Sequence, residues 1–237
     1  MNKIPRNIAA LLACAFALST ALKSQAAEYV VTIQTAPLAS SALSANGPFS
    51  LDFALTYGGT SAGNTATINN FSFGGGAATG TAILTGNAAG SLNSTVTLSD
   101  SSSAFYNDLN QTFSPGTSVS FDVTLSDNPS GQTPDGLAIA ILDNTGGQIV
   151  TTDPDEGLSL ATFDIGNFGT ITKAAYTGID NTDPSNLVDL GDYTGVTASI
   201  SPAPVPEPAP ICILGLGLGV TGLFLARRAS PTRQSSN

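Results

Sequence analysis

The side chains able to do chemistry in this chain are carboxylates, hydroxyls and tyrosines. Asp153-Pro154-Asp155-Glu156-Gly157 gathers three carboxylates in one turn, an oxygen set suited to a hard cation such as Ca²⁺. Asp180-Asn181-Thr182-Asp183, with Asp189 and Asp192, forms a second acidic stretch. Neither completes an EF-hand loop; in the second, Gly191 stands where the closing Glu would be. Asp and Asn beside Gly and Pro also build side-chain-capped turns between strands. The turn reading is preferred, a calcium-dependent role is the alternative, and no residue is assigned as a metal or cofactor ligand.

Absences narrow the reaction classes. The chain has no His, and its two Cys, Cys14 and Cys212, lie in apolar runs near the termini. Ser-His-Asp and Cys-His nucleophilic machinery is therefore excluded, as are His-based zinc sites. Carboxylate-pair glycoside hydrolysis stays open in outline, needing two acids about 5–10 Å apart and aromatic platforms for the sugar. The chain has no Trp, and its Asp residues fall mostly at turns, so no catalytic residue is assigned and a protein without enzymatic activity is expected. Tyr57, Tyr106, Tyr176 and Tyr193 are either sugar platforms or core-edge residues with a wet hydroxyl. Asn70, Asn93 and Asn110 stand in Asn-x-Ser/Thr sequons.

From Glu28 to Asp192 sixteen carboxylates face a single basic residue, Lys173, for a formal charge of −15. Such a surface repels nucleic acid and anionic lipid heads, so no nucleic-acid partner is expected.

The elements that must position these residues read as strands, because period-2 alternation dominates the chain. Tyr29 to Gln34 opens the series. Phe49-x-Leu51-x-Phe53-x-Leu55-x-Tyr57 is the cleanest alternation. Thr65 to Phe73 changes apolar phase between Ile68 and Phe71, a slip that a β-bulge would absorb. Further strands are expected at Thr81 to Thr85, Ser91 to Ser99, Val119 to Leu125, Leu137 to Leu142, Gln148 to Thr152, Leu158 to Ile165 and Val196 to Ile200. Phe105 to Phe113 is ambiguous, since Asp108 to Gln111 could form a turn of helix. About ten short strands without an amphipathic helical window predict an all-β fold, an antiparallel β-sandwich of jelly-roll or lectin-like form.

Both ends of the chain differ from this middle. Lys3 and Arg6, the apolar stretch Ile8 to Leu22 and Ser24-Gln25-Ala26 read as a secretory signal peptide over residues 1–26. The remaining boundaries expected are a domain over 27–201, a Pro-rich linker over 202–208, a membrane helix over 209–226 and a basic tail over 227–237. The run from Ala209 to Ala226 carries no charge, and as a helix it would span about 27 Å, close to a bilayer's hydrocarbon thickness. Arg227, Arg228 and Arg233 follow, which places the tail in the cytoplasm and the domain outside. Gly217-x-Gly219-x-x-Gly222 within the run matches a dinucleotide-binding pattern but lacks the strand, amphipathic helix and acidic residue that pattern requires.

Pro206-Glu207-Pro208, the glycine-dotted apolar run and the Arg227-Arg228 pair together resemble the PEP-CTERM sorting signal of exported bacterial proteins. The resemblance covers about Pro202 to Arg228. It implies recognition of Pro206, Glu207 and Pro208 by exosortase, an integral-membrane transpeptidase-like enzyme, in a Gram-negative cell that makes extracellular polysaccharide. The stretch from Phe121 to Leu125 through Asp135-Gly136 to Thr151–Pro154 is similar to domains of other proteins bearing that signal. The expectation is an exported cell-surface or extracellular-matrix protein, held first at the inner membrane, with a structural role in exopolysaccharide or biofilm. Glycan binding is the alternative, and a carboxylate-based glycoside hydrolase ranks third.

Overall fold

The computed structural model describes residues 27–59, 63–126, 133–155, 157–166, 170–180 and 191–204. The leader, Pro206-Glu207-Pro208, the apolar run 209–226, Arg227, Arg228, Glu156, Asp183 and Asp189 lie outside these residues. Among the described residues no helix is long and apolar enough to cross a membrane. The chain divides into two compact units after Ala203.

The first unit is all-β. Its strands are β1 (Ala27–Gln34), β2 (Phe49–Thr56), β3 (Thr65–Ser72), β4 (Ala77–Ala78), β5 (Ile83–Thr85), β6 (Ala88–Ala89), β7 (Val96–Ser99), β8 (Tyr106–Ser114), β9 (Ser118–Leu125), β10 (Asp135–Leu142), β11 (Ala161–Ile165), β12 (Ile171–Ala175) and β13 (Ala198–Pro202). Two short 3-10 turns lie between β1 and β2. A six-stranded sheet runs β13-β1-β9-β3-β7-β6 and a seven-stranded sheet β12-β11-β10-β2-β8-β4, with β5 also paired to β8. Every pairing is antiparallel.

Alternation explains the packing. Phe49, Leu51, Phe53 and Leu55 of β2 and Val119, Phe121, Val123 and Leu125 of β9 all point into one core shared by the two sheets. Full burial of each contributes about 1.5–3 kcal/mol, and a one-residue slip of register would turn the whole row outward. Phe53 meets Phe121 edge-on across the sheets, with ring centroids 5.3 Å apart and planes at 81°. The result is a β-sandwich.

The phase slip in β3 is a bulge. Ala66 and Ile68 are buried, pairing with β9 shifts between Asn69 and Ser72, and Phe71 then regains the core side. Asn70 takes the left-handed φ of 55° that the extra residue requires.

Several expected elements differ. Asp108 to Gln111 is strand, not helix: Asn107, Leu109, Gln111 and Phe113 alternate inward along β8. Gln148 to Thr152 makes only isolated bridges, from Gln148 to Leu142 and from Thr151 to Gly178. Its backbone bonds are divided between the end of β10, where Ile149 N–H donates to Ile141 O, and residues 177–179, so no continuous ladder forms. The strand expected over Ser91 to Ser99 begins at Val96, because Ser91–Ser94 closes as a turn with Ser94 N–H donating to Ser91 O at 3.0 Å. β12 carried no clean alternation in sequence and was not expected; Lys173 sits in its middle.

Candidate functional site

The bulge creates a cleft. Asn69, Asn70 and Phe71 of β3 face the turn Leu92-Asn93-Ser94-Thr95 that leads into β7, and they line an open surface groove of about 440 Å³. Each wall has its own support. Asn70 Nδ2 donates to Asp122 Oδ2 of β9 at 2.6 Å, which holds the bulged residue against the sheet. Leu92 is buried as an apolar anchor, and its N–H donates to Gln111 Oε1 of β8 at 2.8 Å. Gln111 in turn donates to Thr79 O and Gly80 O, both at 3.3 Å. Gly90, at φ 101°, lets the chain pass the turn, since a Cβ there would lie 1.9 Å from Thr95 O.

The lining carries no ionisable side chain. It consists of three amides, two hydroxyls, Leu92 and the half-buried ring of Phe71, which stacks on Phe73 with centroids 6.3 Å apart. Primary amides both donate and accept, so such a wall suits a neutral ligand rich in hydroxyl groups. Asn69 Oδ1 is buried and has no hydrogen-bond partner among the described residues. An acceptor left in that state costs about 1–3 kcal/mol, and rotation about the terminal amide torsion would offer it to a donor.

Two of the three sequon asparagines, Asn70 and Asn93, thus share one cleft, while Asn110 lies on β8 and donates to Asp52 Oδ1 at 3.2 Å. The tyrosines do not converge. Tyr193 is buried, and its hydroxyl accepts from Asn46 Nδ2 at 3.2 Å, so it is a core residue rather than a platform. Tyr176 is half-buried with its hydroxyl 3.4 Å from Thr162 Oγ1, and Tyr57 is likewise half-buried. Tyr106 is exposed, beside Phe105 in sequence. Just over half of the residue is still covered, and that partial burial, then the charges of Asp108 and Asp52, push its hydroxyl up to about 12.

The acidic stretches singled out in sequence form capped turns where they are described. Asp153 accepts from Asp155 N–H at 3.1 Å and Ser159 N–H at 3.3 Å. Asp192 Oδ1 accepts from the N–H and the hydroxyl of Thr194. Among the described residues no group of three or more His, Cys, Asp or Glu is placed to hold a metal ion.

Two carboxyl pairs, neither apparent in sequence, lie elsewhere. On the outward side of the seven-stranded sheet Asp108 of β8 is within hydrogen-bond reach of Asp52 of β2. Burial, then the Asp52 charge, pushes Asp108 up to about 7. At one end of the sandwich Asp100, just after β7, meets Asp135, the first residue of β10. Burial, opposed by the N–H of Gly63 and reinforced by Asp135, pushes Asp100 up to about 6. Neither pair lines the cleft.

Asp100 and Asp135 carried no motif in the sequence. For the cleft, a signal was present: the apolar phase slip between Ile68 and Phe71 marked a bulge, and bulges concentrate beside functional sites. No protein-family model matches this chain, and no curated protein or solved structure matches it.

Proposed function

We propose that the chain is an exported cell-surface or extracellular-matrix protein of a Gram-negative bacterium, sorted and processed by exosortase, with a non-catalytic structural role in exopolysaccharide or biofilm. The observation that carries this reading is the order of Pro206-Glu207-Pro208, an uncharged run of bilayer length and Arg227-Arg228, with a signal-peptide pattern at the opposite terminus. An acidic β-sandwich suits a soluble surface module, since strong net charge keeps such a domain from associating with its own copies. Chain crossings between the sheets at β1–β2–β3 and β8–β9–β10 favour a jelly-roll, lectin-like topology. The test is expression in a polysaccharide-producing Gram-negative host, with mass spectrometry of the mature C-terminus. The wild type should reach the cell surface without residues 209–226, and Glu207→Ala should retain them at the inner membrane. Intact, unprocessed wild-type chain free in the cytosol would sink the proposal.

The cleft favours a second reading, glycan binding. Its uncharged amides and hydroxyls over an aromatic ring match a neutral sugar's alternation of polar edge and apolar face. On a glycan array the full chain should retain neutral oligosaccharides, and Asn93→Ala with Ser94→Ala should lose them. Equal retention by the double variant would rule the cleft out.

A further inference from the structure

We propose that the buried carboxylates of Asp100 and Asp135 hold a calcium ion that ties the two sheets together at one end of the sandwich. Asp100 follows β7 of the six-stranded sheet and Asp135 opens β10 of the seven-stranded sheet. Asp100 is 3% exposed and Asp135 0%. Asp100 Oδ1 accepts from Gly63 N–H at 3.0 Å and Asn64 N–H at 2.9 Å. Asp135 accepts from Gly58 N–H through Oδ1 and from Asn64 Nδ2 through Oδ2, both at 2.5 Å. Four N–H donors therefore hold the two side chains; at Asp100 the two backbone bonds favour the charged form against the burial that opposes it.

Asp100 Oδ2 is buried and has no hydrogen-bond partner among the described residues. Asn64 bridges the pair, its N–H on Asp100 Oδ1 and its Nδ2 on Asp135 Oδ2, so Asp135's charge reaches the Asp100 carboxyl. Two carboxyl groups brought together inside a protein are relieved either by a shared proton or by a cation held with them. Between Glu28 and Asp192 the chain's one basic side chain is Lys173, and its ammonium lies over the Tyr29 ring, 4.1 Å from the centroid. A cation held with this pair must come from solution.

The donor set selects the ion. It is all oxygen, with no His or Cys in this stretch of chain, which suits Ca²⁺ rather than a transition metal. Two carboxylates supply part of its shell of 6–8 oxygens, and with so few charged ligands a Kd of about 10⁻⁴–10⁻³ M, the range of extracellular modules, is expected. The Asp52–Asp108 pair differs in one respect that decides its chemistry. Among the described residues no hydrogen bond stabilises the Asp108 charge; burial and Asp52 both oppose it, so a proton suffices there.

The test uses the full-length chain, stripped with chelator, at pH 7.5. Calorimetry should show saturable Ca²⁺ binding, and the Tm should rise by about 3–6 °C once Ca²⁺ is tenfold above Kd. Asp100→Asn should lose both effects, while Asp155→Asn, in an exposed turn, should keep them. In ¹⁵N-labelled wild type the amides of Gly63 and Asn64 should move early in the titration, a readout that needs no variant to fold. Absence of saturable binding, or a Tm response undiminished in Asp100→Asn, overturns the proposal. So does a Gly63 and Asn64 response to acidification from pH 7.5 to 5 with none to Ca²⁺, which would identify a shared proton instead.

Discussion

Leu92, in the turn that leads into β7, is hydrogen-bonded through its backbone N–H to the side chain of Gln111 on β8, at 2.8 Å and out of contact with water. This bond fixes the turn that forms one wall of the cleft. Gln111→Ala strands the Leu92 N–H, removes two further bonds to Thr79 and Gly80, and opens a small void. The expected loss is about 2–4 kcal/mol in urea unfolding, with weakened retention on the glycan array. Unchanged stability would mean that the turn holds itself.

Asn70 tests the bulge. Its φ of 55° is tolerated by Asn and Gly and strained for a β-branched residue. Asn70→Val should cost about 1–3 kcal/mol. Asn70→Gly, which loses only the exposed bond to Asp122, should stay within about 1 kcal/mol of the wild type. Equal losses in the two variants would assign the effect to the Asp122 contact instead of the backbone.

Phe53 is the ring at which the sheets meet most directly, with Phe71 and Phe121 both packed on it. Phe53→Ala should destabilise the domain by about 3–5 kcal/mol, and Phe53→Leu by much less. Urea midpoints of the two variants measure the difference.

Asp108 makes stability depend on pH in a definite direction. Its carboxyl is raised to about 7 in the folded domain, against the usual value near 3.8 when unfolded. The folded state therefore holds a proton that the unfolded state has released across that interval. The stabilisation is complete below about pH 4 and declines as pH rises through about 7. Asp108→Asn should flatten the melting temperature over this range and raise it at pH 8. A wild-type Tm that climbs from pH 4 to 7 would contradict the assignment.

The sandwich was largely legible because large apolar residues alternate cleanly. Phe49 to Leu55, Val119 to Leu125 and Leu137 to Ile141 each place one row in the core. The signal failed where strands are short or lie at an edge. β12 alternates weakly because its neighbours cover little of it, and β4 and β6, two residues each, are too brief to show any period. The cleft was half legible: the slip at Ile68–Phe71 located the bulge, but nothing local announced that residues 92–95 would stand opposite. Asp100 and Asp135 are 35 positions apart and meet only through the stacking of two sheets, so no spacing rule would have joined them.

Lys173 has a consequence beyond its contact with Tyr29. From Ser24 to Ala226 it is the single position at which a trypsin-like protease could cut, and it lies within β12, paired to Phe163 of β11. A protease must first peel that strand away and lift the ammonium off the ring. A domain built this way should outlast basic-specific digestion for as long as its outermost strand stays seated.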